Sequence, residues 1–126
     1  MGGTRDMRSR FPGPVMTLEV VDSKQFSRAW LKTSGGGTPV IDNSYGVSSI
    51  TDAGVGLLDV TWTTAFGSAE CIIHAISQDT NARDSAFIKT SQSTPPTATT
   101  CRLTCVDNGA ILTDVAGGWY VVAYGI

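Results

Sequence analysis

Charge is scarce in this chain. Only 16% of its 126 residues are Asp, Glu, Lys or Arg, against roughly 25% in an average globular domain. The net charge is −2, too little positive charge to neutralise a phosphate backbone, and nucleic acid is excluded as a partner. Histidine occurs once, as His74, and cysteine three times, as Cys71, Cys101 and Cys105. An odd number at these spacings makes neither a disulfide framework nor a CxxC zinc site, so the thiols read as reduced, small apolar core residues. No apolar run approaches the roughly 18 residues that span a bilayer, and the N-terminus lacks the continuous apolar stretch of a secretory signal. The expectation is a chain made in the cytosol and not inserted in a membrane. Capped segments with a 3.6-residue period are also missing, which argues against helices.

What is abundant is glycine, serine, threonine and short β-prone runs. A chain of 126 residues has room for one domain, burying about two-thirds of its unfolded surface. Residues 1–25 read as an N-terminal arm. MGGTRDMRSRFPGPVM combines glycine with a Pro-Gly-Pro that holds an extended path, and a short β-prone run, Thr17 to Val21, follows. Arg5, Arg8 and Arg10 against Asp6 give the first ten residues a net charge of +2 and leave −4 for the rest. Arm and body carry opposite signs.

Residues 26–126 read as a succession of seven or eight strands. In FSRAWLKT, Phe26, Arg28, Trp30 and Lys32 alternate with Ser27, Ala29, Leu31 and Thr33. The Gly35–Gly37 turn leads into a second strand that starts at Pro39-Val40-Ile41 and runs through Tyr45-Gly46 into VSSI, with a hairpin turn expected at Thr51–Gly54. GLLDVTWTTAF puts Leu58, Val60 and Trp62 on one face and Asp59, Thr61 and Thr63 on the other. From Cys71 to Ile76 both faces are apolar, and this segment reads as a covered central strand. AFIKT is a further strand. CRLTCV sets Cys101, Leu103 and Cys105 inward, Asn108-Gly109 reads as a tight turn with positive φ, and Gly117-Gly118 opens the closing strand WYVVAYGI. Strands at roughly 8 to 12 residue spacing argue for a small antiparallel β-sandwich; a small closed barrel would use the same strands.

Candidate chemistry is thin. His74 lies among Ile72, Ile73 and Ile76 with no nucleophile or carboxylate at triad-like spacing, so it reads as structural. Asp52, Asp59, Asp79, Asp84, Asp107 and Asp114 are scattered over turns and solvent faces without calcium-loop order. A glycosidase pair cannot be picked from them. Gly35–Gly37 lacks the Lys-Ser/Thr and helix of a phosphate cradle. No enzymatic activity, cofactor or metal is expected. Aromatics are different, because Trp30, Trp62, Trp119, Tyr45, Tyr120 and Tyr124 suit cores, subunit interfaces and sugar platforms alike. Trp62 is expected in the core. Tyr120, Val122 and Tyr124 lie opposite Trp119, Val121 and Ala123, giving the closing strand two apolar faces where a small sandwich covers only one. That surplus face is the candidate subunit interface.

The segment AWLKTSGGGTPVIDNSYGVSSITDAGVGLLDVTWTTAF resembles the C-terminal module of tailed-bacteriophage tail fibre and related virion structural proteins. The matching residues are Ala29-Trp30, Gly35–Gly37, Val47–Thr51, Gly54–Gly56 and Val60–Phe66, with the final WYVVAYGI resembling the family's terminal strand, Tyr124 standing where Phe is commoner. The likeness spans residues 26–126 and is weakest between Cys71 and Asp114. It implies a small β-sandwich that forms a homotrimer at a fibre tip, in a virion assembled in the host cytoplasm. Where fibre proteins carry a long shaft, only about 25 residues precede the module here. The expected function is therefore a fibre-tip or short-fibre module anchored to other phage structural proteins by its arm, through Arg5, Arg8, Arg10 and Phe11. A capsid decoration protein and a module binding host surface glycan are the alternatives.

Overall fold

The computed structural model describes residues 27–35, 37–78 and 87–125. The anchoring residues Arg5, Arg8, Arg10 and Phe11, the run Thr17–Val21, and Asp79 and Asp84 lie outside the described residues. Eight strands follow one another: β1 (Ser27–Ser34), β2 (Val40–Tyr45), β3 (Val47–Gly54), β4 (Leu57–Trp62), β5 (Ile72–Ser77), β6 (Phe87–Thr90), β7 (Thr100–Val106) and β8 (Trp119–Tyr124). They form two four-stranded sheets, here called sheet I, in the order β2-β1-β8-β5, and sheet II, in the order β3-β4-β7-β6. Every pairing is antiparallel. The architecture is the expected sandwich, with two separate sheets instead of a closed barrel.

Period-2 alternation explains the core. Side chains of a strand point alternately to its two faces, and each central strand offers one apolar row. Sheet I contributes Ala29, Leu31 and Thr33 from β1 and Trp119, Val121 and Ala123 from β8; sheet II contributes Leu58, Val60 and Trp62 from β4 and Cys101, Leu103 and Cys105 from β7. All are buried, and Trp62 meets Phe66 edge-on with ring centroids 5.5 Å apart. Thr33 is the polar member of this layer. Its hydroxyl accepts a hydrogen bond from the Trp119 backbone N–H at 2.9 Å, so the buried oxygen is satisfied.

Four local expectations are corrected. The run from Pro39 to Ile50 is not one strand: Gly46, at φ +70°, turns the chain from the edge of sheet I to the edge of sheet II. A Cβ there would stand 2.5 Å from the Arg28 carbonyl oxygen, so only glycine fits the corner. Thr51 and Asp52 are not a turn but remain paired with Asp59 and Leu58, and the chain reverses at Val55-Gly56. The Asn108-Gly109 turn has its left-handed residue at Ala110, φ +61°. Asp107 builds it by accepting the N–H groups of Gly109 and Ile111 on its carboxylate, at 2.8 and 3.0 Å. Last, β5 is an edge strand and not a central one, because β8 is its one hydrogen-bonded neighbour.

Two glycine-related substitutions test this account. Gly46→Ala is expected to destabilise the fold by at least about 1–2 kcal/mol, from left-handed backbone strain plus the clash with Arg28. Ala110→Gly, at the other strained position, is expected to leave stability unchanged or raise it by up to about 1 kcal/mol. Urea denaturation of the two variants measures both.

Candidate interaction face

The inward rows of the two sheets are used up by the core, and their outward rows differ sharply. Sheet II presents Ser49 and Thr51 from β3, Leu57, Asp59 and Thr61 from β4, Thr100, Arg102, Thr104 and Val106 from β7, and Phe87 and Lys89 from β6. Hydroxyls dominate, with one ion pair at the centre. Arg102 donates Nε to Asp59 Oδ1 and Nη2 to Asp59 Oδ2, both at 2.6 Å, a two-pronged match between a cross-strand pair. The Arg102 hydrogen bond holds the Asp59 carboxyl below the usual aspartate range, against the opposing pull of burial. The centre of this face is suited to water, while its apolar members, Leu57, Val106 and the exposed Phe87, gather at one end.

Sheet I presents the opposite chemistry. Register places Trp30 beside Val122 and Tyr45, Val122 beside His74, Tyr120 between Lys32 and Ile76, and Tyr124 beside Ile72. Ile72 and Ile76 are 62% and 67% exposed, Tyr45 is 63% and Trp30 is 36%. The His74 ring stands edge-on to Tyr124, centroids 6.4 Å apart. A shallow hollow of about 200 Å³ lies between β5 and β8, lined by His74, Ala75, Ile76, Tyr120 and Val122. Polar groups gather toward one end, where the Tyr120 hydroxyl donates to Gln78 Oε1 at 2.7 Å and Lys32 lies over the Tyr120 ring at 5.9 Å. Lys32 is also within 3.8 Å of Asp42, an exposed pair worth little to stability.

The three residues expected at an interface, Tyr120, Val122 and Tyr124, do share this face, each half-buried between β1 and β5. Sequence reasoning missed Ile72, Ile76, Trp30 and Tyr45 as its other members. The signal was present in the alternation Ile72, His74, Ile76, which the assumption of a covered central strand hid. With strands about 4.8 Å apart and residues rising about 3.3 Å, four strands of six residues cover roughly 400 Å². Exposed apolar side chains gathered on one sheet face and rimmed by polar groups such as Lys32 and Asn43 make that face the candidate interaction surface.

Among the described residues no three His, Cys, Asp or Glu side chains gather as a metal site. Cys101 and Cys105 are buried free thiols and Cys71 is half-buried. Burial first, then the neighbouring Cys71 and Asp59, pushes the Cys101 thiol up to about 12, and burial raises Cys71 and Cys105 as well. Comparison of the chain with known protein families, with curated proteins and with solved structures yields no match.

Two outcomes follow from this chemistry. The thiolate is the reactive form, so native protein treated with a thiol-reactive dye at pH 8 is expected to label slowly and at Cys71 first, with all three cysteines labelling after denaturation. For the ion pair, a lowered folded pKa means that stability is fully present above the ordinary aspartate value of 3.8 and is lost as pH falls through the lower folded value. Asp59→Asn is therefore expected to be less stable than the parent at pH 7, with the difference shrinking as the pH is taken below 4. Thermal unfolding across that range is the measurement.

Proposed function

We propose that the chain is a non-enzymatic structural module of a tailed-bacteriophage virion, which self-associates as a homotrimer through the outer face of sheet I. The observation that carries this reading is the contrast between the two outer faces. Sheet II carries hydroxyls and a satisfied ion pair over most of its face, with Leu57, Val106 and Phe87 confined to one end, whereas sheet I carries Trp30, Tyr45, Ile72, Ile76, Tyr120, Val122 and Tyr124 across all four strands. A sandwich destined to remain a lone subunit needs both outer faces wetted, and burying this one against sister copies removes apolar surface at about 25 cal/mol per Å². The virion assignment rests on the resemblance of residues 26–126 to fibre-tip modules. In this reading residues 1–25 anchor the module to other phage structural proteins, Arg5, Arg8 and Arg10 meeting an acidic surface and Phe11 an apolar one. A fibre tip or short fibre is the favoured position, with capsid decoration as the variant built on the same arm and the same trimer.

Light scattering of the purified full chain is expected to give three times the 13.2 kDa chain mass. The double variant Ile72→Lys/Ile76→Lys, at two well-exposed positions, should shift the mass to one chain without changing the β-rich circular dichroism spectrum. Thr51→Lys on sheet II should leave it a trimer. Parent protein running as a single chain at high concentration would sink the reading. Deleting residues 1–16 is expected to abolish incorporation into particles while the trimer persists.

A further inference from the structure

At the corner where Gly46 carries the chain between sheets, a cleft of about 220 Å³ opens at the end of the sandwich, away from the β5–β8 half of the apolar face. Arg28, Tyr45, Trp62, Thr63, Thr64 and Phe66 line it. It shares Tyr45 with the outer face of sheet I but lies at the β2 edge, whereas Ile72 and Ile76 put the self-association surface at the β5 edge. We propose that this cleft binds a single acidic sugar residue, a pyranose bearing a carboxylate, as found at charged termini and branches of surface polysaccharides.

Four observations converge on that ligand class. Arg28 has no carboxylate within ion-pair distance among the described residues, although the body of the chain carries more acids than bases. Its guanidinium is instead held over the Phe66 ring, 5.7 Å from the centroid, where the planar fork stays free to take a carboxylate in two-pronged fashion. Tyr45, 63% exposed, supplies an aromatic wall for the apolar face of a sugar ring. Thr63 and Thr64 are exposed and offer hydroxyls to ring substituents. Trp62 is only 4% exposed, and its indole Nε1–H is a buried donor with no acceptor among the described residues. Buried donors in native folds are almost always satisfied, and Trp62 is one of the side chains that line the cleft.

Size and rigidity agree. The volume lies below the roughly 300–1,000 Å³ of clefts for drug-sized ligands, so it takes one ring. The rim is fixed by backbone hydrogen bonds from Thr63 N–H to the Gly46 carbonyl at 2.9 Å, from Trp62 N–H to Thr99 at 2.9 Å and from Phe66 N–H to Ala98 at 2.8 Å. Little ordering is then left to be done on binding. An acidic peptide side chain would meet Arg28 but would bring neither a ring for Tyr45 nor hydroxyls for Thr63 and Thr64, and the sugar is favoured for that reason.

The test uses the full chain and methyl glycosides of glucuronic, galacturonic and N-acetylneuraminic acid, with methyl glucoside and N-acetylglutamate as comparators. Binding is read by titration of the tryptophan indole N–H resonances, the Trp62 signal being assigned by its loss in Trp62→Phe. At least one acidic glycoside is expected to shift that resonance saturably and to bind about tenfold or more tightly than either comparator, as the loss of a charged hydrogen-bond pair implies. Arg28→Ala should abolish the preference over methyl glucoside, and Arg28→Lys should restore part of it. The fold of each variant is checked by its unchanged strand spectrum. Absence of a shift with all three acidic glycosides, or equal binding of methyl glucoside or N-acetylglutamate, overturns the proposal. Neither result depends on oligomeric state, which light scattering reports separately.

Discussion

A β-strand has two faces, and a two-layer sandwich buries one of them. Everything characteristic of this molecule follows from that constraint acting on strands that are apolar on both sides. The inward rows of β1, β8, β4 and β7 close the core so completely that Leu58, Val60 and Cys105 have no exposed surface, and even the small Ala29 and Ala123 are shut in. Once those rows are committed, the side chains at alternate positions have nowhere to go but outward. On sheet II they are mostly threonine, serine and an Asp59–Arg102 pair, with Leu57, Val106 and Phe87 at one end. On sheet I they are tryptophan, tyrosine, valine and isoleucine.

How much of this was legible in the residues depends on the range of the signal. Alternation is a property of neighbours, so the inward row of Leu58, Val60 and Trp62 and that of Cys101, Leu103 and Cys105 could be read directly. The two-faced character of Tyr120–Tyr124 was equally plain. Strand order is not a property of neighbours. Ile72 to Ile76 has the composition of a strand covered on both sides, but which strands flank it is decided by pairing with residues almost fifty positions away. The same holds for Gly46. A glycine inside a β-prone run admits a bulge, a kink or a change of sheet, and only the closeness of the Arg28 carbonyl selects the last. The cleft was invisible for this reason: Arg28, Tyr45, Trp62 and Thr64 belong to three different strands and a loop, and meet because the corner at Gly46 brings the strand ends together.

Edges sharpen the case for what covers sheet I. Exposed edge strands invite pairing with other chains unless something blunts them. The edge strand β2 carries Asp42 and Asn43, β3 carries Ser48, Ser49 and Asp52, and β6 is four residues long with Lys89 in it. Each is short, polar or charged. The fourth edge, β5, has the sequence IIHAIS, without Asp, Glu, Lys or Arg, and its outward row is Ile72, His74 and Ile76. It is the one described edge without a blunting device, and it borders the apolar face. A surface that combines unprotected strand edge with exposed isoleucine is a liability in a lone subunit and an asset in an assembly. The distribution of charge over the four edges therefore favours the β5–β8 side of sheet I as the surface for the proposed self-association, at the opposite edge of the sheet from the Gly46 corner with Arg28 and its cleft.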